Sequence, residues 1–300
     1  MFFNTIIVDT SMQIVKTEKL SGIHRIIEDY DVFFIDLWGV MHNGVECYSN
    51  AITVLKHLKS KNKKIVLISN APRPSETVEV FLDKIKLSKP FYDKVITSGD
   101  VTREYLQLEN HNQDIFHLGP DKDKDLFKNL NVTFVDEEKC KQIICTGLFN
   151  AEKENIEDYQ DLLIRLKDRN IKMICANPDE VVHRESKLEY CAGALAKQYE
   201  DFGGVVRFFG KPYPEIYNFA LNKLNILEDF EKKNISAFVI GDNLKTDIKG
   251  ANLLNINSLL ILNGIYKDFF RNDEIDFEKL KDSVNLKLLK INYYQDELTW

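Results

Sequence analysis

Several polar positions stand where strongly apolar runs of the chain break, and their residue types suit one another chemically. Asp36 closes VFFID, Ser69 and Asn70 close KIVLISN, Asp242 closes AFVIGD, and Lys211 lies in GKPYPEIY just ahead of a helical pattern. Asp247 follows at the start of the next helical stretch. Taken singly, each has a plain structural reading: helix cap or turn for Ser69, Asn70, Asp242 and Asp247, solvated loop lysine for Lys211. Taken together they form a reacting set. Carboxylates within reach of one another repel unless a hard cation joins them, and oxygen ligands with room for water suit Mg²⁺. A carboxylate held in this way can attack phosphorus to give an aspartyl-phosphate. Ser and Lys donors then stabilise the charge on the transferring group, the main catalytic need in phosphoryl transfer.

These positions meet only if a parallel sheet carries them. Continuous apolar runs at 32–36, 64–70, 237–242 and 257–264 alternate with helix-like AITVLKHLKSK, ETVEVFLDKIK, PEIYNFALNKL and KTDIKGANLL. That alternation predicts an α/β fold, a Rossmann-like parallel sheet covered on both faces. In such sheets ligands bind beyond the carboxyl ends of the strands, where the polar residues fall. The middle of the chain differs: strand-like IFHLGP, VTFVD and QIICTGL precede a long helical pattern, NIEDYQDLLIRLKDRN, and another strand, KMICANPD. It predicts a small α/β cap over about 112–182, inserted in a core formed by 1–111 and 183–300. The cap would sit over the strand ends and close on them as a lid that excludes water. The acidic, aromatic tail from about 268 offers no chemistry.

Composition narrows the partners. The 300 residues are 44% hydrophobic and 29% charged, the balance of a globular chain with a sizeable core. A net charge of -7, with acidic residues interleaved among the lysines of KDRNIKM and EDFEKKN, argues against a nucleic-acid footprint. In MFFNTIIVDTSM no basic residue precedes the short apolar run and Asp9 cuts it off, so it reads as neither signal peptide nor membrane span. The 5 cysteines are scattered and never form a CxxC pair, which predicts free, mostly buried thiols in a reducing cytoplasm. The expected partner is a small phosphorylated molecule, with no nucleic acid and no membrane, and self-association is left open.

In order along the chain, FIDLWGVMHNG, VLISNAPR, GKPYPEIY and IGDNLKTDIKGA resemble the four motifs of the haloacid dehalogenase (HAD) superfamily, specifically its class IIA, the NagD-like phosphatases. ITSGDVTREYL and ICANPD are similar to further segments of that class. The resemblance implies Asp36 as nucleophile and magnesium ligand, with the Trp38 backbone carbonyl as a second ligand. It implies Ser69 as phosphoryl-binding, Lys211 as paired with nucleophile and phosphate, Asp242 as a metal ligand, and Asp247 as holding the metal's waters or Lys211. Asn70, Arg73, His42, Asn177 and Asp179 are the candidates for contacting substrate. The cofactor implied is Mg²⁺, and the activity is hydrolysis of a small phosphorylated metabolite such as a sugar phosphate or nucleotide.

Trp38 departs from the pattern. The family usually carries a second Asp two residues after the nucleophile, which protonates the leaving oxygen and later activates water. Indole can do neither. His42, in the same loop, or a cap residue would have to substitute. The departure also supports a competing reading, a degenerate member that binds a phosphorylated ligand or partner without efficient turnover. Transfer of the aspartyl-phosphate to another acceptor would use the same residues as hydrolysis.

Overall fold

A computed structural model describes residues 17–108, 114–184, 187–266, 275, 277–283, 286 and 288–300. The N-terminal run and the expected boundary at 111/112 lie outside them. Seven parallel strands form the main sheet, in the order Glu18–Lys19, Tyr293–Gln295, Asn257–Ile261, Ala237–Gly241, Val32–Asp36, Lys64–Ser69, Lys94–Thr97. Val32–Asp36 lies inside the sheet and is buried along its whole length. Its alternate residues serve opposite faces: Phe33 and Ile35 pack with Val54, Leu55 and Leu58, while Val32 and Phe34 pack with Ile216, Tyr217 and Ala220. Two-faced burial explains why the strand reads as an unbroken apolar run.

Register brings the polar residues level. Ile35 pairs with both Leu67 and Ile240, so Ser69 and Asp242 each stand two residues past a partner of Ile35, beside Asp36 at the carboxyl edge. The α/β architecture and the parallel sheet are as the sequence predicts.

A second parallel sheet follows the order Val206–Phe208, Lys172–Cys175, Gln142–Cys145, Asp114–Leu118, Thr133–Phe134. Its outer strand runs past the expected end of the insert at 182. An antiparallel ribbon, Val181–Arg184 with Lys187–Tyr190, and a helix, Ala192–Asp201, come between. The strand Val206–Phe208 is short and half-buried with an exposed central arginine, so its apolar signal is weak. The faces of this sheet divide by period 2. Ile143, Cys145, Met173 and Cys175 pack with Leu163 and Leu195, whereas Ile115, Ile144 and Ile174 join the apolar cluster that contains Phe34, Val66 and Val101 of the core. Polar links cross the same seam: Thr77 Oγ1 donates to Asp125 Oδ2 at 2.6 Å, and Arg103 Nη1 donates to the Leu126 carbonyl at 2.5 Å.

The tail is structural. Tyr293–Gln295 pairs with Asn257–Ile261 inside the main sheet, and the Trp300 ring stacks on His57 at 4.3 Å. The five cysteines are free, four of them buried. No helix of the described residues is long and apolar enough to cross a membrane.

Candidate active site

Four charged side chains, all nearly out of contact with solvent, converge at the carboxyl edge of the main sheet. Asp36 is 6% exposed, Lys211 2%, Asp242 4% and Asp247 1%. Lys211 Nζ donates to Asp36 Oδ1 and, at 2.7 Å, to Asp247 Oδ1. Asp36, Asp242 and Asp247 each offer a carboxylate oxygen within 4.8 Å of the others. Asp247 is aimed inward by a single turn of π-helix, Leu244–Ile248, which Asn243 starts by accepting from the Lys245 N–H. Such turns recur at functional sites because they re-aim one side chain within a helix.

Backbone leaves the space for these carboxylates. A Cβ on Gly39 would lie 2.1 Å from Asp242 Oδ2, and one on Gly264 would lie 1.9 Å from the same oxygen. Gly39 also has φ of 79°, a conformation glycine adopts without strain. The Ile265 N–H donates to Asp242 Oδ2 at 3.2 Å.

The electrostatics are unbalanced without a cation. Burial works against the charge on Lys211, but Asp247 and Asp36 outweigh it and hold the ammonium protonated well above its ordinary range. Burial pushes Asp36 up against the pull of Lys211, and burial with the Asp36 and Asp247 charges pushes Asp242 up further. Three buried carboxylates share one ammonium. That donor set, all oxygen and short of positive charge, fits a hard divalent cation.

One cavity opens on the cluster and a second adjoins it. The first, of about 230 Å³, is lined by Asp36, Lys211, Asp242, Asp247, Thr246 and Tyr48. The other, of about 540 Å³, is lined by residues of both units, among them Phe81, Arg73, Asp123, Thr146 and Tyr190. Ser69 borders both, and its Oγ accepts from the Ala71 N–H at 3.2 Å, leaving its proton to point elsewhere. Asn70 is a buried bracket: its Oδ1 accepts from Lys211 N at 2.7 Å, and its Nδ2 donates to the Lys211 carbonyl at 3.1 Å and to Asp179 Oδ1 at 3.0 Å.

The remaining candidates fall differently. Asn177 Oδ1 accepts from the Asp179 N–H at 3.1 Å and so shapes the turn that presents Asp179 to both cavities. Arg73 lines the larger cavity, but its Nε is engaged with Asp123 Oδ1 at 2.7 Å, a link between the segments that carry the two larger sheets. His42 is 3% exposed, its Nδ1 accepts from the Gly44 N–H at 3.0 Å, and burial lowers its pKa to about 4. Its ring packs against Trp38 at 5.3 Å and Phe81 at 5.4 Å. Trp38 borders both cavities, its indole lying where a Cβ on Gly44 would meet it at 2.5 Å. Sequence reading missed Gly264, Thr246 and the Glu180–Lys245 pair, which closes at 2.9 Å beside the site. For Gly264 the Asn-Gly step ending NSLLILNG was an available signal.

Comparison with known proteins agrees with this geometry. Residues 33–133 match the family model described as haloacid dehalogenase-like hydrolase, and residues 208–280 match the HAD-hydrolase-like model. The chain is 23% identical to an acid sugar phosphatase of Staphylococcus epidermidis over 81% of its own length and 91% of the relative's. It is 25% identical to a 4-nitrophenylphosphatase of Schizosaccharomyces pombe, over 81% and 87% respectively. Among solved structures, a hydrolase of the haloacid dehalogenase-like family from Brucella suis superposes with a TM-score of 0.80 at 34% identity, covering 95% of this chain and 100% of that one. With that coverage, and with Asp36, Ser69, Lys211 and Asp242 gathered at one sheet edge, the chain belongs to the haloacid dehalogenase-like hydrolase family.

Proposed function

We propose that the chain is a Mg²⁺-dependent phosphatase that hydrolyses a small phosphorylated metabolite through an aspartyl-phosphate on Asp36. The observation that carries this reading is the Lys211 ammonium clasped between Asp36 and Asp247. Its positive charge opposes the burial that pushes the Asp36 carboxyl up, and it fixes one Asp36 oxygen so that the other is presented to phosphorus. Lys211 and the Ser69 hydroxyl would stabilise the charge on the transferring phosphoryl oxygens. Asp36, Asp242 and Asp247, with the Trp38 carbonyl, would hold the metal, which when bound supplies neutralising charge to the phosphoryl group. The named phosphatase activities of the relatives support the reaction class. The larger cavity, walled by both units, suits a metabolite-sized leaving group and supports the insert as the chooser of substrate.

Asp36→Asn tests the assignment. The change is nearly isosteric, so the fold is retained while turnover of 4-nitrophenyl phosphate is abolished. Turnover near wild type refutes Asp36 as nucleophile.

A further inference from the structure

Departure of an alkyl oxygen from phosphorus requires a proton, and Trp38 has none to give. The two cavities locate where that proton is needed. On the phosphatase reading, the phosphoryl group lies in the smaller cavity against Asp36, and the leaving group extends into the larger. The oxygen that joins them therefore lies at the junction. Six residues border both cavities: Trp38, Asn43, Ser69, Asn70, Asp179 and Val182. Asp179 is the one among them whose side chain is a carboxylic acid.

We propose that Asp179 is the proton donor to the leaving oxygen, standing in for the acid that Trp38 displaces. The residue is rigidly presented. Its N–H donates to Asn177 Oδ1, its carbonyl accepts from Gly193 N at 3.0 Å, and its Oδ1 accepts from Asn70 Nδ2. Gly193 is required there, since a Cβ would lie 2.5 Å from the Asp179 carbonyl oxygen. Among the described residues nothing hydrogen-bonds Oδ2, which leaves that oxygen to carry the proton.

The surroundings keep a proton available. Burial raises the Asp179 carboxyl to about 6, opposed by Lys211 and Asn70 and reinforced by Asp247 and Glu180. Asp36 and Asp242 line the smaller cavity and not the larger, Glu180 is tied to Lys245, and the nearby Cys191 thiol is pushed up by burial and stays neutral. His42 borders only the larger cavity.

The step balances. As the Asp36 oxygen bonds to phosphorus, the bond from phosphorus to the leaving oxygen breaks, and the Asp179 proton passes to that oxygen to give a neutral alcohol. The Asp179 carboxylate then takes a proton from the water that attacks the aspartyl-phosphate. Phosphate departs and both carboxyl groups return to their starting states.

The test is a leaving-group series of 4-nitrophenyl, phenyl and ethyl phosphate, run across pH with wild type, Asp179→Asn and Asp36→Asn in Mg²⁺. Asparagine can still accept from Asn70, so the loop is held. For Asp179→Asn, kcat/KM on ethyl phosphate falls by about 10²- to 10⁴-fold, and the loss on 4-nitrophenyl phosphate is far smaller because that group leaves without protonation. In wild type, needing no variant, dependence on leaving-group pKa is shallow below pH 6 and steepens above it. An equal loss on all three esters, or a wild-type dependence that does not change with pH, overturns the proton-donor role while the phosphatase reading stands. Wild type inert toward all three esters, or Asp36→Asn as active as wild type, refutes the phosphatase reading, and the role of Asp179 falls with it.

Discussion

Replacing Lys211 by Met removes one ammonium from between two carboxylates that have no solvent to turn to. The side chains of Lys211, Asp36 and Asp247 are 3%, 9% and 1% exposed. Removing one partner of a buried pair costs about 3–5 kcal/mol, because the remaining charge is left uncompensated. For a chain of this size that corresponds to a fall in melting temperature on the order of 10 °C. The loss has a signature. A divalent cation bound by Asp36, Asp242 and Asp247 neutralises part of the excess charge, so the gap between variant and wild type is widest in chelator and narrows in Mg²⁺. Turnover does not recover, because Met cannot hold Asp36 or stabilise the phosphoryl oxygens. Thermal denaturation of both proteins with chelator and with Mg²⁺, beside turnover of 4-nitrophenyl phosphate, checks each part. A variant that melts within about 2 °C of wild type in chelator would refute the electrostatic account of the cluster.

Two further outcomes follow from the same site. Chelation abolishes turnover, Mg²⁺ restores it, and Ca²⁺ inhibits, because its longer bonds and higher coordination number misplace the attacking carboxylate; activity undiminished in chelator contradicts the metal assignment. His42 governs part of the acid sensitivity: its folded pKa is lowered from 6.5 to about 4, so the unfolded chain takes its proton first as pH falls. The stability it contributes is complete above pH 6.5 and is lost as pH drops toward 4, by roughly 3 kcal/mol. His42→Asn, whose Oδ1 can accept from the Gly44 N–H, should lose that much less between those pH values; urea denaturation with equal losses in both proteins rules the account out.

The main sheet was legible because its strands are buried on both faces, which leaves an unmistakable apolar run ending in a polar residue, as at Asp36 and Asp242. Two strands at one side of it were not. Glu18–Lys19 is two exposed residues, and Tyr293–Gln295 is a short stretch inside a polar tail, with half-buried tyrosines and a buried glutamine. Pairing, not composition, makes them strands, and pairing is invisible without the fold. Val206–Phe208 escaped for the same reason, and with it the true extent of the second sheet. At the site, motif spacing gave the carboxylates and Lys211, because each follows a recognisable strand or precedes a recognisable helix. What spacing could not give was the engagement of Arg73 by Asp123, or the accepting role of His42 Nδ1, since both depend on partners brought in by tertiary packing.

The seam between the two sheets bears on traffic. To swing clear as a hinged door, the insert would have to bring Ile115, Ile144 and Ile174 into water. At roughly 1.5–3 kcal/mol for each such side chain, fewer than about one molecule in a thousand would stand open at any instant. Whole-unit opening is therefore a minor population of the free protein. The ribbon Val181–Arg184 with Lys187–Tyr190 belongs to neither large sheet, and its Val182 and Tyr190 wall the larger cavity. A displacement of those two strands alone would widen the larger cavity at a smaller cost than moving a whole unit, and would bear on what enters and how soon the product alcohol leaves.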